Sequence, residues 1–182
     1  MKPIKGYNAA QASGEYERLA AGGYVIKITA VQDEDEKQYL RIVYDIAEGP
    51  EAGRYKSEPA ENDFRHSFVR SYKEKALGMF KAFIRAIDES NGTKFDSRIE
   101  KGFPEHELVG KNLGVVFGYE EYEANDSNVK ERLRLVSCMS ADRIRKGDFK
   151  IPELKKLKPS TEPAPASMPD GFTPMTDDDL PF

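Results

Sequence analysis

The stretch that decides the fold is residues 24–46, YVIKITAVQDEDEKQYLRIVYDI. Apolar side chains recur at every second position at both of its ends, which predicts two β-strands with one buried face each. The acidic run at residues 33–36 between them indicates a charged hairpin turn. The predicted inward sets are Tyr24, Ile26, Ile28 and Ala30 in the first strand and Leu40, Ile42, Tyr44 and Ile46 in the second.

One helix stands out in the rest of the body. Ser71 followed three residues later by Glu74 forms a capping box, and Asn91-Gly92 is a typical helix end. The side chains between them recur at helical spacing and predict one apolar stripe. That stripe consists of Ala76, Leu77, Phe80, Phe83, Ile84 and Ile87.

Further strands are predicted over residues 63–70, 112–122 and 129–137. The element order is then three strands, one helix and two strands. This is the order of the OB-fold, a five-stranded Greek-key β-barrel with a helix between strands 3 and 4. We therefore predict a mainly β protein with one helix, and specifically an OB-fold barrel. An α+β sandwich with the same element order is the alternative.

Four segments are predicted along the chain: a flexible N-terminal arm (1–22), the OB-fold domain (23–142), a basic extension (143–158) and an acidic tail (159–182). The tail has six prolines, five acids and no Lys or Arg, so we predict that it is disordered. The whole chain has a net charge of −4, with 32 acids and 28 basic residues. Without the five tail acids, 27 acids face 28 basic residues, so the body is near neutral at +1. Nucleic-acid binding would therefore depend on a local basic patch.

Targeting signals are not recognisable in the chain. The first six residues lack the apolar stretch of a signal peptide, and no apolar run is long enough to span a membrane. We expect a cytoplasmic protein without membrane contact. Cys138 is the only cysteine, so an intramolecular disulfide is impossible, and its strand-like setting predicts a small core residue.

The last six residues, Asp177-Asp178-Asp179-Leu180-Pro181-Phe182, closely resemble the C-terminal tip of bacterial single-stranded DNA-binding proteins. The tip departs from the usual pattern at Leu180, where Ile is usual. Three other segments are similar to phage and mobile-element proteins of Gram-positive bacteria, namely AGGY (21–24), YDIAEG (44–49) and RSYKEKAL (70–77). The resemblance implies a prophage or phage protein of DNA replication and recombination. Its barrel would bind single-stranded DNA without sequence preference.

The chemistry of the tip suits protein recruitment, the role that the resemblance implies. Phe182 carries an apolar ring and the free carboxylate, which a partner can hold with a pocket and a basic side chain. The Asp run adds attraction to a basic rim. The family implies partners such as helicases, primases, nucleases and recombination mediators. A solubilising tail without any partner is the alternative.

Binding of single strands needs cations for the phosphates and flat rings for the bases. The chain contains no Trp, on which the bacterial family commonly stacks bases, so Tyr or Phe must serve. Alternation does not decide which face of the third strand is internal, and core packing is the alternative role for each ring. The candidate DNA-binding residues are Tyr39, Arg41, Tyr55, Arg65, Phe68, Arg70, Lys73, Lys111, Tyr119, Arg132 and Arg134.

Enzymatic functions find little support. The two histidines, His66 and His106, lack ligand spacing, and no phosphate-binding or nucleophile motif occurs, so we expect no metal, no cofactor and no catalysis. Two alternatives to DNA binding stay open. One is a protein-recruiting adaptor whose barrel binds protein or RNA, and the other is a metal-dependent nuclease or recombination enzyme. Because one barrel covers few nucleotides, we expect a homo-oligomer or a cooperative array.

Overall fold

Five strands form one antiparallel sheet in the order β3-β2-β1-β4-β5. The computed structural model describes Pro3, residues 18–124 and residues 128–157. The predicted acidic tail with its tip, and the predicted arm up to residue 17 apart from Pro3, lie outside the described residues. The strands are β1 (Gly22–Glu34), β2 (Tyr39–Ile46), β3 (Ser67–Ser71), β4 (Asn112–Glu123) and β5 (Val129–Met139), and the α-helices are α1 (Leu77–Asn91) and α2 (Ala141–Arg145). The predicted mainly β fold, with its main helix between the third and fourth strands, is confirmed.

β1 and β2 pair as a hairpin whose inner face supplies the centre of the core. Ile28 pairs with Tyr44, and both side chains are buried, as are the other predicted inward residues of β2. The register of β1 shifts between Ile28 and Ala30, so a bulge reverses the alternation beyond this point. Ala30 is therefore exposed and Val31 packs against the core, which corrects the predicted inward position of Ala30.

β3 is shorter than the strand predicted over residues 63–70. A 3-10 helix occupies Ala60–His66, with acids in its first turn and basic residues in its last, as the helix dipole favours. The strand begins only at Ser67. Phe68 packs against the core, whereas Val69 is exposed, so the Phe68 side of β3 is its inner face.

α1 begins at Leu77, later than the predicted capping box. Ser71 is the last residue of β3 and donates its hydroxyl hydrogen to the Gln38 carbonyl oxygen at 3.1 Å, so it does not cap the helix. The predicted end is confirmed, because Gly92 takes a left-handed conformation with φ 65°. Of the predicted stripe, Leu77 is exposed, and the buried members are Phe80, Phe83, Ile84 and Ile87.

β3 and β5 are the two edges of the sheet, and α1 packs against β3, β4 and β5. The guanidinium of Arg70 donates a hydrogen bond from Nη2 to Cys138 Sγ at 3.0 Å, so side chains of the edge strands meet at one point. No backbone ladder joins β3 to β5 in the described part of the chain, and the sheet is open there. None of the helices that the structure describes has the length and apolarity needed to cross a bilayer.

Residues 141–157, called the C-terminal strap below, lie across the outer face of β1 and β4. A Cβ built on Gly23 of β1 would lie 2.5 Å from the Phe149 ring. A Cβ on Gly118 of β4 would lie 2.5 Å from Pro152 Cγ. Glycine is therefore required where the strap touches the strands, since any larger residue would collide with it.

The strap also pairs with β4 where β1 has ended. The pairing of β1 with β4 reaches Phe117. Beyond it, the Lys155 backbone N–H donates to the Tyr119 carbonyl oxygen at 3.1 Å, and the Glu121 N–H donates to the Lys155 carbonyl oxygen at 2.9 Å. The segment predicted as a basic extension thus packs on the sheet as far as residue 157.

Candidate nucleic-acid interface

The outer face of β2 and β3 carries the first pair of predicted DNA-binding residues. Tyr39 and Arg41 alternate along β2, where they pair in register with Ser71 and Val69 of β3. Val69 is 46% exposed and Tyr39 and Arg41 are half-buried. The side chain of Arg41 makes no hydrogen bond or ion pair with any other described residue, so its guanidinium is available to an anion. A ring and a cation therefore share one accessible face.

A second ring–cation pair lies at the Ser67 end of β3. Phe64 is 66% exposed, and the Arg65 guanidinium lies 5.7 Å from the centre of its ring. Arg65 is a predicted site residue, whereas sequence reasoning chose Phe68 and missed Phe64. The signal that could have found it is the polar composition of residues 60–66, which does not fit a strand with an inward Phe64.

Phe68 and Arg70 lie on the inner face of β3 instead. The Phe68 ring packs on Tyr44, with ring centres 5.9 Å apart, and against Phe83 at 6.2 Å. The Arg70 guanidinium lies 5.2 Å from the centre of the Phe68 ring and reaches Cys138. Much of the Phe68 ring is therefore in contact with the core, and the Arg70 side chain bridges the two edge strands.

Tyr55, the predicted ring in the loop after β2, belongs to a cluster of aromatic side chains. Its ring stacks on His66 at 4.6 Å with an angle of 8° between the planes, and meets Tyr44 edge-on at 6.0 Å. Burial raises the pKa of the Tyr55 phenol above its ordinary value of 10.0. One face of Tyr55 is thus covered by His66, which limits stacking on a base to the other face.

Arg132 and Arg134 share the outer face of β5, as predicted, and both bind one carboxylate. Glu120 of β4 lies opposite Arg132 and accepts hydrogen bonds from Arg132 Nε at 2.8 Å and from Arg134 Nη1 at 2.7 Å. Lys155 of the strap places its Nζ 3.8 Å from the same carboxylate. Burial opposes ionisation of Glu120, but the hydrogen bonds from the two arginines outweigh it, and the pKa of Glu120 is lowered. These cations are therefore partly neutralised.

The last three predicted residues lie apart from these groups. Lys73 is exposed in the turn after β3. Lys111 is half-buried in the loop before β4, where its carbonyl oxygen accepts the Ile28 N–H at 2.9 Å. Tyr119 is on the inner side of β4, and its hydroxyl donates to the Leu19 carbonyl oxygen at 3.4 Å. The tip residues predicted for protein recruitment, 177–182, lie outside the described residues.

The turn between β1 and β2 limits the candidate interface at one end. It carries the acidic run 33–36, including a 3-10 helix at Asp35–Lys37, and carboxylates repel phosphates. Within residues 18–124 and 128–157 no group of three or more His, Cys, Asp and Glu side chains could hold a metal ion. Comparison with protein-family models and with curated proteins finds no match to this chain. Function is therefore inferred from the residues themselves.

Proposed function

We propose that the protein binds single-stranded DNA on the outer face of β2 and β3 of an OB-type barrel and recruits partner proteins through its C-terminal tip. The observation that carries the proposal is the strand order. Opening an OB barrel between its third and fifth strands yields the order β3-β2-β1-β4-β5 with a helix after β3. The contact of Arg70 with Cys138 lies at this seam and supports closure through side chains. In OB-folds, oligonucleotides bind the face of strands 2 and 3.

Tyr39 and Arg41 on that face, and Phe64 and Arg65 in the 3-10 helix that leads into β3, have the chemistry that single strands require. Tyr39 and Phe64 offer rings for bases, and Arg41 and Arg65 offer cations for phosphates. The outer face of β1 and β4 is covered by the C-terminal strap. The outer faces of β2 and β3 and of β5 stay accessible, but on β5 the side chains of Arg132 and Arg134 are engaged by Glu120. This interface includes three predicted residues and adds Phe64.

Anisotropy titration of a labelled oligo-dT against the full chain tests the interface. Arg41→Ala should weaken binding. It should also make the slope of log affinity against log salt concentration less steep by about 0.7, the value for one phosphate contact on a single strand. Arg145→Ala is the matched control, because this arginine also carries one charge but is held by Glu48 and Asp142. Equal effects of the two changes would refute the interface.

The stacking role of Phe64 is tested in the same titration. Phe64→Ala should cost about 1–3 kcal/mol of binding free energy if a base stacks on the ring. Met79→Ala is the control, because Met79 is exposed to the same extent, 66%, and lies on α1. Unchanged affinity of the Phe64 variant would remove this ring from the interface.

The adaptor is the second candidate function, and one observation favours it. Three cations surround the single carboxylate of Glu120, so a basic group that could have bound phosphates is partly satisfied within the protein. In that case the barrel binds protein or RNA. Absence of oligo-dT binding by the full chain, with RNA or protein binding retained, would favour the adaptor.

Recruitment through the tip requires its own test. Deleting residues 177–182 should abolish binding to a partner protein and leave the affinity of the body for oligo-dT unchanged or higher, because carboxylates compete with phosphates. A partner that binds the shortened chain equally well would refute recruitment by the tip. Self-association, which we also propose, is measured by sedimentation of the full chain.

A further inference from the structure

A groove of about 320 Å³ lies between the start of α1, the start of β2 and the 3-10 helices of residues 99–108. Its floor is apolar and includes Leu40, Phe80 and Leu108, all buried. Its walls include Leu77 and Ile99, which are 50% and 38% exposed. Large apolar side chains thus line a concave surface that water reaches, which is typical of a binding groove.

The charged side chains that line the groove are both acidic. Asp33 and Glu105 contribute carboxylates, and the lining contains no Lys, Arg or His. Neither acid has an ion-pair partner among the described residues. The hydroxyl of Tyr72 lies 2.9 Å from Asp33 Oδ1 and 3.3 Å from Asp35 Oδ1, so a side chain of the groove itself holds the Asp33 carboxylate at the rim.

We propose that this groove docks a basic amphipathic segment of a partner protein, which inserts apolar side chains between Leu77 and Ile99 and places Lys or Arg against Asp33 and Glu105. The occupant follows from charge complementarity. A nucleic acid is disfavoured because two carboxylates that no described cation neutralises would face its phosphates. A volume near the lower end of the roughly 300–1,000 Å³ of ligand pockets suits one or two anchoring side chains.

This surface differs from the proposed DNA interface and from the tip. Its lining shares no residue with the ring and cation pairs at Tyr39, Arg41, Phe64 and Arg65. The tip is acidic and would recruit partners by a basic pocket on the partner, whereas the groove is an acidic pocket on this protein. The inference therefore stands whether or not the protein binds DNA.

The test uses a fluorescent amphipathic peptide of Leu and Lys, and the same peptide with Glu in place of Lys, titrated against the full chain. The acidic tail will also attract the Leu/Lys peptide, but the tail is identical in every variant compared. The contribution of the groove to peptide affinity is measured with the double variant Leu77→Ser, Ile99→Ser. Its control is Met79→Ser with Val136→Ser, which removes two exposed apolar residues outside the groove.

The groove variant should bind the Leu/Lys peptide about tenfold more weakly than the wild type, and the control within about twofold. A second variant, Asp33→Asn with Glu105→Gln, keeps the apolar lining and should lose most of the preference for Lys over Glu in the peptide. The amide oxygen that this variant has in place of the Asp33 carboxylate can still accept the Tyr72 hydrogen bond, so the variant should fold as the wild type does. Equal affinity of groove variant and control, or no preference of the wild type for the Leu/Lys peptide, would overturn the proposal.

Discussion

Gly114→Ala should strongly destabilise the protein, although it adds one methyl group. A Cβ at this position of β4 would lie 2.6 Å from the Ser140 carbonyl oxygen and 2.8 Å from both the Met139 carbonyl oxygen and Ile144 Cγ1. Two of these three atoms belong to the backbone, so no change of side-chain rotamer can make room. Since carbon atoms pack best at about 3.5–4.0 Å, the chain after β5 must retreat by roughly 0.5–1 Å.

That retreat would disturb the first turn of α2. The Ser140 carbonyl oxygen accepts the Arg143 N–H at 3.1 Å, and the Ala141 N–H donates to Ser90 Oγ of α1 at 2.9 Å. Overpacking of a close contact costs about 1–3 kcal/mol, and a weakened hydrogen bond adds up to about 1 kcal/mol. We therefore expect a loss of about 2–4 kcal/mol in the free energy of unfolding. For a chain of this length that corresponds to a fall in Tm of roughly 5–15 °C.

Thermal unfolding of the full chain followed by circular dichroism measures the effect. Gly78→Ala is the control, because a Cβ there meets nothing within 4 Å and Gly78 lies in the first turn of α1. Alanine in a helix should leave stability unchanged or raise it by about 0.4–1 kcal/mol. If Gly114→Ala melted within about 1 °C of the wild type, the close packing of residues 139–144 on β4 would be refuted.

Two other predictions concern the strap and its neighbours. Gly23→Ala would place a Cβ 2.5 Å from the Phe149 ring, so Phe149→Ala should offset much of its cost, and a double-mutant cycle should show coupling of about 1 kcal/mol or more. Additive effects would contradict this contact. The lowered pKa of Glu120 adds stability at pH values above its ordinary 4.5, and this stability is lost as the pH falls through the lowered pKa. Glu120→Gln should therefore lose less stability than the wild type between about pH 5 and about pH 3, as urea unfolding would measure, whereas equal losses would argue against the arginine pairing.

The sequence predicted four of the five strands because each is long and alternates or is apolar throughout. It misplaced the third, because β3 has only five residues and the preceding segment, Ala60–His66, turns as a 3-10 helix. Ala30 was placed on the wrong face since a bulge is set by the pairing of β1 with β2, which no local pattern records. The capping box failed for a similar reason, because Ser71 is held by β2 as a strand residue.

The strap was missed as a packed element because the apolar residues that contact the strands, such as Ile144, Phe149 and Pro152, have no regular spacing among six basic residues. One signal was present in the sequence, namely Gly114 and Gly118 within the apolar and aromatic stretch of residues 113–119. Isolated strand glycines indicate a close approach of another chain segment. The pairing of Arg132 and Arg134 with Glu120 could not be predicted, because it depends on the register between β4 and β5.

The distribution of charged side chains leaves few cations at the proposed DNA interface. Arg132 and Arg134 are engaged by Glu120, and the turn between β1 and β2 is acidic, so the interface has few cations to offer. If Arg41 and Arg65 contact two phosphates, the log–log dependence of affinity on salt should have a slope of about −1.4. A slope near −4 would require cations outside the face of β2 and β3, such as those around Glu120. The salt slope of the wild type therefore decides which part of the sheet the strand would follow, because stacking on Tyr39 and Phe64 makes no contribution to it.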